Sequence, residues 1–60
     1  MARVQEFRVE SRSFIEWVTA QNAAKAAEIH GHYPCEAWNS STKSTVVFVG
    51  KGQKVAKYYY

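Results

Sequence analysis

Sixty residues allow one hydrophobic core and leave too little chain for a second. The single cysteine, Cys35, excludes an intramolecular disulfide, and no apolar run approaches the roughly 20 residues that span a bilayer. The formal charge is +3 but unevenly placed: all five glutamates precede residue 37, while Lys43, Lys51, Lys54 and Lys57 follow with no acid among them, which suggests an anionic partner for the carboxyl-terminal third.

Residues 3–10 alternate as a strand, with Gln5, Phe7 and Val9 on one side and Glu6, Arg8 and Glu10 on the other. The segment from 13 to 31 admits two readings. Ser13-Phe14-Ile15-Glu16 matches a capping box that would start one long helix. A continuous helix, however, would set Phe14, Trp17 and Val18 on or beside the polar face formed by Gln21, Lys25 and Glu28. Splitting the segment into a strand from Phe14 to Ala20 and a helix from Asn22 to His30 avoids that conflict. Asn22 can then cap the helix, and Gly31 with Pro34 can stop it. Ala23, Ala26, Ala27 and His30 would face the sheet. In the first hairpin, a three-residue Ser11-Arg12-Ser13 loop pairs Val9 with Ile15, Phe7 with Trp17 and Arg8 with Glu16, matching apolar to apolar and plus to minus.

Beyond the helix, Cys35–Asn39 and Thr45–Val49 read as a second hairpin around a Ser40–Ser44 turn. The unbroken run Val46-Val47-Phe48-Val49 suggests a central strand covered on both faces. Gly50-Lys51-Gly52 reads as a turn, being too short for a phosphate-binding loop. The expected fold is therefore α+β, in the order ββαββ, an antiparallel sheet with one helix packed on a face. Residues 1–52 form the domain, and residues 53–60 are a further edge strand or a basic, aromatic tail.

His30, His32 and Cys35 are candidate metal ligands, since all three types bind zinc. Their spacing fits no standard site, and only Glu28 or Glu36 could add a fourth ligand. The simpler reading places His30 at a helix end, where positive charge favours the dipole, and Cys35 in the core. Cys35 with His32 could form a nucleophile and base, but no glycine loop accompanies them, and the chain reads as noncatalytic and without a cofactor.

Lys51, Lys54 and Lys57 recur at three-residue spacing ahead of Tyr58, Tyr59 and Tyr60. Lysines can neutralise phosphates and tyrosines can stack on unpaired bases, which makes single-stranded nucleic acid a sensible ligand. Edge-strand lysines also guard against sheet aggregation, and tyrosine favours protein interfaces. Two tryptophans, four tyrosines and three phenylalanines carry more apolar area than one helix can cover. Self-association follows, by edge pairing or by stacking of uncovered sheet faces. The expected protein is thus a homo-oligomeric interaction module that binds another protein, with a nucleic-acid-binding accessory protein as the alternative. Neither a signal peptide nor a membrane partner is expected, and the location is cytoplasmic.

The stretch Ala20-Gln21-Asn22-Ala23-Ala24-Lys25-Ala26-Ala27 leading to Tyr33-Pro34 resembles small uncharacterised phage and bacterial accessory proteins. The resemblance implies a virus-encoded origin, and hence a host cytoplasm, and assigns no functional residue.

Overall fold

The structure, a computed structural model, describes residues 3–59, with side chains as far as Val55. Five strands and one helix follow in the order β1 (Gln5–Ser11), β2 (Ile15–Ala20), α1 (Ala23–His30), β3 (Cys35–Asn39), β4 (Ser44–Gly50) and β5 (Gln53–Tyr59). All strand pairs are antiparallel in one sheet of order β2-β1-β3-β4-β5. The fold is α+β, with the helix after the second strand as the residue pattern implies. Gln53–Tyr59 is an edge strand rather than a tail: Lys57 pairs with Val46 and Tyr58 with Thr45. Tyr60 lies outside the described residues. No helix among them is long and apolar enough to cross a membrane.

The split of residues 13–31 into strand and helix is what the chain adopts. Asn22 has extended backbone, and its Oδ1 accepts the Lys25 N–H at 2.9 Å, which satisfies one of the open donors of the first turn. At the other end Gly31 turns left-handed (φ 76°) and donates its N–H to the Ala27 carbonyl at 2.9 Å. Ala26, Ala27 and His30 are buried, and small side chains at these positions let the helix lie close across β2, β1 and β3. Phe7, Val9, Val18, Ala20, Cys35, Ala37 and Phe48 complete the core beneath it.

The first hairpin differs from the expected register by one residue. Arg8 pairs with Trp17, Phe7 with Val18, Val9 with Glu16 and Glu10 with Ile15. The turn is tighter than a three-residue loop: the Ser11 N–H donates to the Phe14 carbonyl at 3.1 Å, and Ser11 Oγ accepts the Ser13 N–H at 3.2 Å. Because side chains alternate along a strand, this slip exchanges the two faces of β2. Val18 and Ala20 go to the core, while Ile15 and Trp17 go to the opposite face and are more than half exposed. The phase argument against a long helix was therefore sound only for Val18, since Phe14 and Trp17 stay exposed in the strand arrangement as well.

A second correction concerns Val46 to Val49. The strand is interior to the sheet, flanked by β3 and β5, but only Phe48 of this run is fully buried. The helix barely reaches β4, and among the described residues no layer covers the other face, so Val47 is half-buried and Val49 exposed.

Candidate functional site

Alternation puts two kinds of surface on the sheet. On the side away from α1, the pairings align Trp17, Arg8, Trp38 and Thr45 in one row across β2, β1, β3 and β4. The neighbouring row is Ile15, Glu10, Glu36 and Val47. The Trp17 and Trp38 rings meet edge to face at 6.1 Å, and the Arg8 guanidinium lies 5.1 Å from the Trp38 ring centre. Lys43 reaches the same ring at 5.9 Å from the β3–β4 turn. Edge-to-face rings and cations over a ring face are favourable arrangements, together worth on the order of 1–2 kcal/mol. They hold the row in place while leaving Trp17 and Arg8 exposed; Trp38 is half-buried, and Thr45, at the far end of the row, is buried.

The second row carries an unresolved charge problem. Glu10 and Glu36 are directly opposite on neighbouring strands, a placement that is unfavourable for like charges. Among the described residues neither forms an ion pair, and Arg8 is turned to the tryptophan rather than to a carboxylate. Arg8, Glu10, Glu36, Trp38 and Thr45 line a shallow concavity of about 390 Å³. A face with exposed tryptophan and isoleucine, a guanidinium and two unpaired carboxylates is suited to meeting another charged and apolar surface.

The helix side of the first hairpin holds a second constellation. His30, the last residue of α1, is buried with both ring nitrogens engaged: Nδ1 with Glu16 Oε2 at 2.5 Å and Nε2 with Ser11 Oγ at 2.8 Å. A carboxylate can only accept, so Nδ1 carries a proton; in the neutral ring Nε2 then accepts from the Ser11 hydroxyl. Phe14 covers the ring at 4.4 Å, and His32 stands edge-on to both Phe14 (5.1 Å) and His30 (5.5 Å). These contacts were not anticipated from the sequence. The usable signal was Glu16: once β2 turns it to the helix side, a half-buried carboxylate requires a partner, and the helix ends on one.

No family model, curated protein or solved structure matches the chain.

Of the residues considered as metal ligands, the structure brings His30 and His32 together and leaves Cys35 apart from them. Cys35 is buried in the core, His30 is committed to Glu16 and Ser11, and His32 is exposed. The described residues contain no group of three or more side chains able to hold a metal ion. Burial also pushes the Cys35 thiol up from its ordinary value, which disfavours the reactive thiolate. Lys51 in the β4–β5 turn and Lys54 near the start of β5 are exposed. The side chains of Lys57, Tyr58 and Tyr59, like Tyr60, lie outside the described residues.

Tyr33 shows where the packing is imperfect. Its hydroxyl is buried and has no hydrogen-bond partner among the described residues. Burial, with Cys35 and Glu28 adding to it, pushes the phenol up from its ordinary value and keeps it un-ionised at neutral pH. Leaving a buried hydroxyl unpaired costs about 1–3 kcal/mol. Tyr33→Phe is therefore expected to be neutral or to stabilise by about 1 kcal/mol, raising the thermal midpoint by ~4–8 °C in a domain this small. A drop in the midpoint would show that the hydroxyl has a partner.

Proposed function

We propose that the protein is an interaction module and that the uncovered sheet face is its binding surface, with a second copy of the chain as the partner. The observation that carries this reading is the pair of adjacent rows, Trp17–Arg8–Trp38–Thr45 and Ile15–Glu10–Glu36–Val47. A two-fold axis lying in the plane of the interface, across the strands and between the rows, sets each row of one copy over the other row of its partner. Arg8 then faces the partner's unpaired acidic row at the Glu10 position, and Trp17 faces the isoleucine position. Such an isologous arrangement satisfies both copies with one set of contacts. It also relieves the Glu10–Glu36 opposition, and it covers the apolar side chains that α1 leaves bare. Sheets stack face to face at about 10 Å, close enough for these side chains to interdigitate.

The second reading, binding of single-stranded nucleic acid, is favoured by exposed Lys51 in the β4–β5 turn and Lys54 near the start of β5, with Lys57 and Tyr58 to Tyr60 following along the chain. The carboxylates of Glu10 and Glu36 weigh against the open face as a phosphate-binding platform.

Light scattering at low and high salt, with and without a short single-stranded oligonucleotide, separates the two. A dimer mass that persists at high salt and ignores the oligonucleotide is expected, because apolar burial strengthens while long-range charge attraction is screened. Trp17→Ser should return the monomer mass with the fold intact, since the side chain is 55% exposed. A monomer that gains mass only with oligonucleotide at low salt would overturn the dimer reading in favour of the lysine segment.

A further inference from the structure

From the relay Ser11 Oγ–His30 Nε2, His30 Nδ1–Glu16 Oε2 we infer that Ser11 is an activated nucleophile and that this corner of the fold accepts acyl groups from small activated esters. Three elements converge to build it. Ser11 ends β1 on the helix side, Glu16 sits in β2 on the same side opposite Val9, and the last residue of α1 drops the imidazole between them. The order of groups is that of a nucleophile, a base and an orienting acid. The carboxylate fixes the tautomer in which Nε2 can take a proton, and it balances the imidazolium that results. The His30 side chain is fully buried, which strengthens both hydrogen bonds relative to water.

Ser11 and Glu16 are both half-buried, so neither end of the relay is sealed. A concavity of about 400 Å³, lined by Ser11, Arg12, Pro34, Cys35, Glu36 and Val47 among others, opens at the end of the sheet where β1 finishes and β3 begins. In the acylation step Ser11 Oγ bonds to the ester carbonyl carbon while its proton passes to His30 Nε2. The bond from that carbon to the leaving oxygen then breaks, and the leaving group takes the proton. Water, deprotonated by the same nitrogen, attacks the acyl-serine and releases the carboxylic acid, and the proton returns to Ser11 Oγ. The Ser13 N–H donates to Ser11 Oγ at 3.2 Å, and Arg12 supplies a cation to the concavity beside the carboxylates of Glu10 and Glu36. The relay lies on the helix side of the sheet, but Glu10, Glu36 and Val47 of the open face border the concavity, so labelling is measured on the monomeric Trp17→Ser variant as well as on the wild type, which separates its failure from that of the pairing of open faces.

The same three residues could serve only to fasten the helix end to the hairpin, and the experiment must tell the roles apart. The full-length folded chain is treated with a fluorophosphonate, and modification is mapped residue by residue and compared with the urea-unfolded chain. Ser11 is expected to react at least ~100-fold faster than Ser13, Ser40 and Ser41 of the same molecules, with the selectivity lost on unfolding. Glu16→Gln should slow the Ser11 rate by roughly 10–100-fold while leaving the circular dichroism spectrum unchanged. Labelling of Ser11 no faster than that of the other serines, in the wild type at pH 8, would overturn the assignment and leave a purely structural tether.

Discussion

Arg8→Glu is expected to abolish the dimer at concentrations where the wild type is fully paired, weakening association by roughly a hundredfold or more. The substitution places a carboxylate on the Trp17–Trp38 row, where it meets the acidic row of the facing copy, and it removes the cation over Trp38. Loss of dimer alone would not distinguish a specific contact from a damaged surface. The complementary change does. Glu10→Arg should also be monomeric by itself, because Arg8 then faces an arginine. Mixing the two variants in equal amounts should restore a dimer of one copy each, with every cation again opposite a carboxylate. Sedimentation of each variant and of the mixture reads this directly. A mixture that stays monomeric would rule out the proposed axis, and an Arg8→Glu variant that still dimerises would rule out the face.

Phe7→Ala is expected to cost about 3–5 kcal/mol, the largest effect of any single truncation in the core. Phe7 is 1% exposed and shares with Val9 the position of largest fully buried side chain. It pairs with Val18 on one neighbouring strand and Asn39 on the other, so the void would open between β2 and β3 beneath the helix. A chain of this length holds only ~3–9 kcal/mol in total, which places the variant near its unfolding midpoint at room temperature. Urea titration at fixed protein concentration checks it, the concentration being fixed because dimerisation adds to apparent stability. A cost under about 1.5 kcal/mol would place the centre of the core elsewhere.

Local chemistry explains why some of this was legible in the residues and some was not. Asn22 and Gly31 announce their roles because capping depends on a side chain and a backbone angle within three or four positions. The alternation of residues 3–10 is equally local. The register of the first hairpin is not, because the pairing that best matched apolar with apolar placed Trp17 opposite Phe7 and Arg8 opposite Glu16. The chain instead gives Glu16 to the helix side, where its carboxylate accepts from His30 across fourteen positions of sequence. A contact of that range leaves no periodic trace. The same slip hid the open face, since the expected register buried the very side chains, Ile15 and Trp17, that define it. The fate of residues 53–59 was ambiguous for a related reason: lysine spacing reads alike on an edge strand and on a solvated tail.

The strand order β2-β1-β3-β4-β5 also has a kinetic meaning. Three of its four ladders join strands that are neighbours along the chain, across short turns or a compact bend, and each can form with little loss of chain freedom. The ladder between β1 and β3 cannot, because the second strand and the whole helix must be enclosed before Ser11 meets Cys35. That closure has no reward until the helix docks on both halves at once. Formation of the β1–β3 seam is thus where chain entropy opposes folding most, and α1, which spans it, is the piece whose docking commits the molecule to its native state.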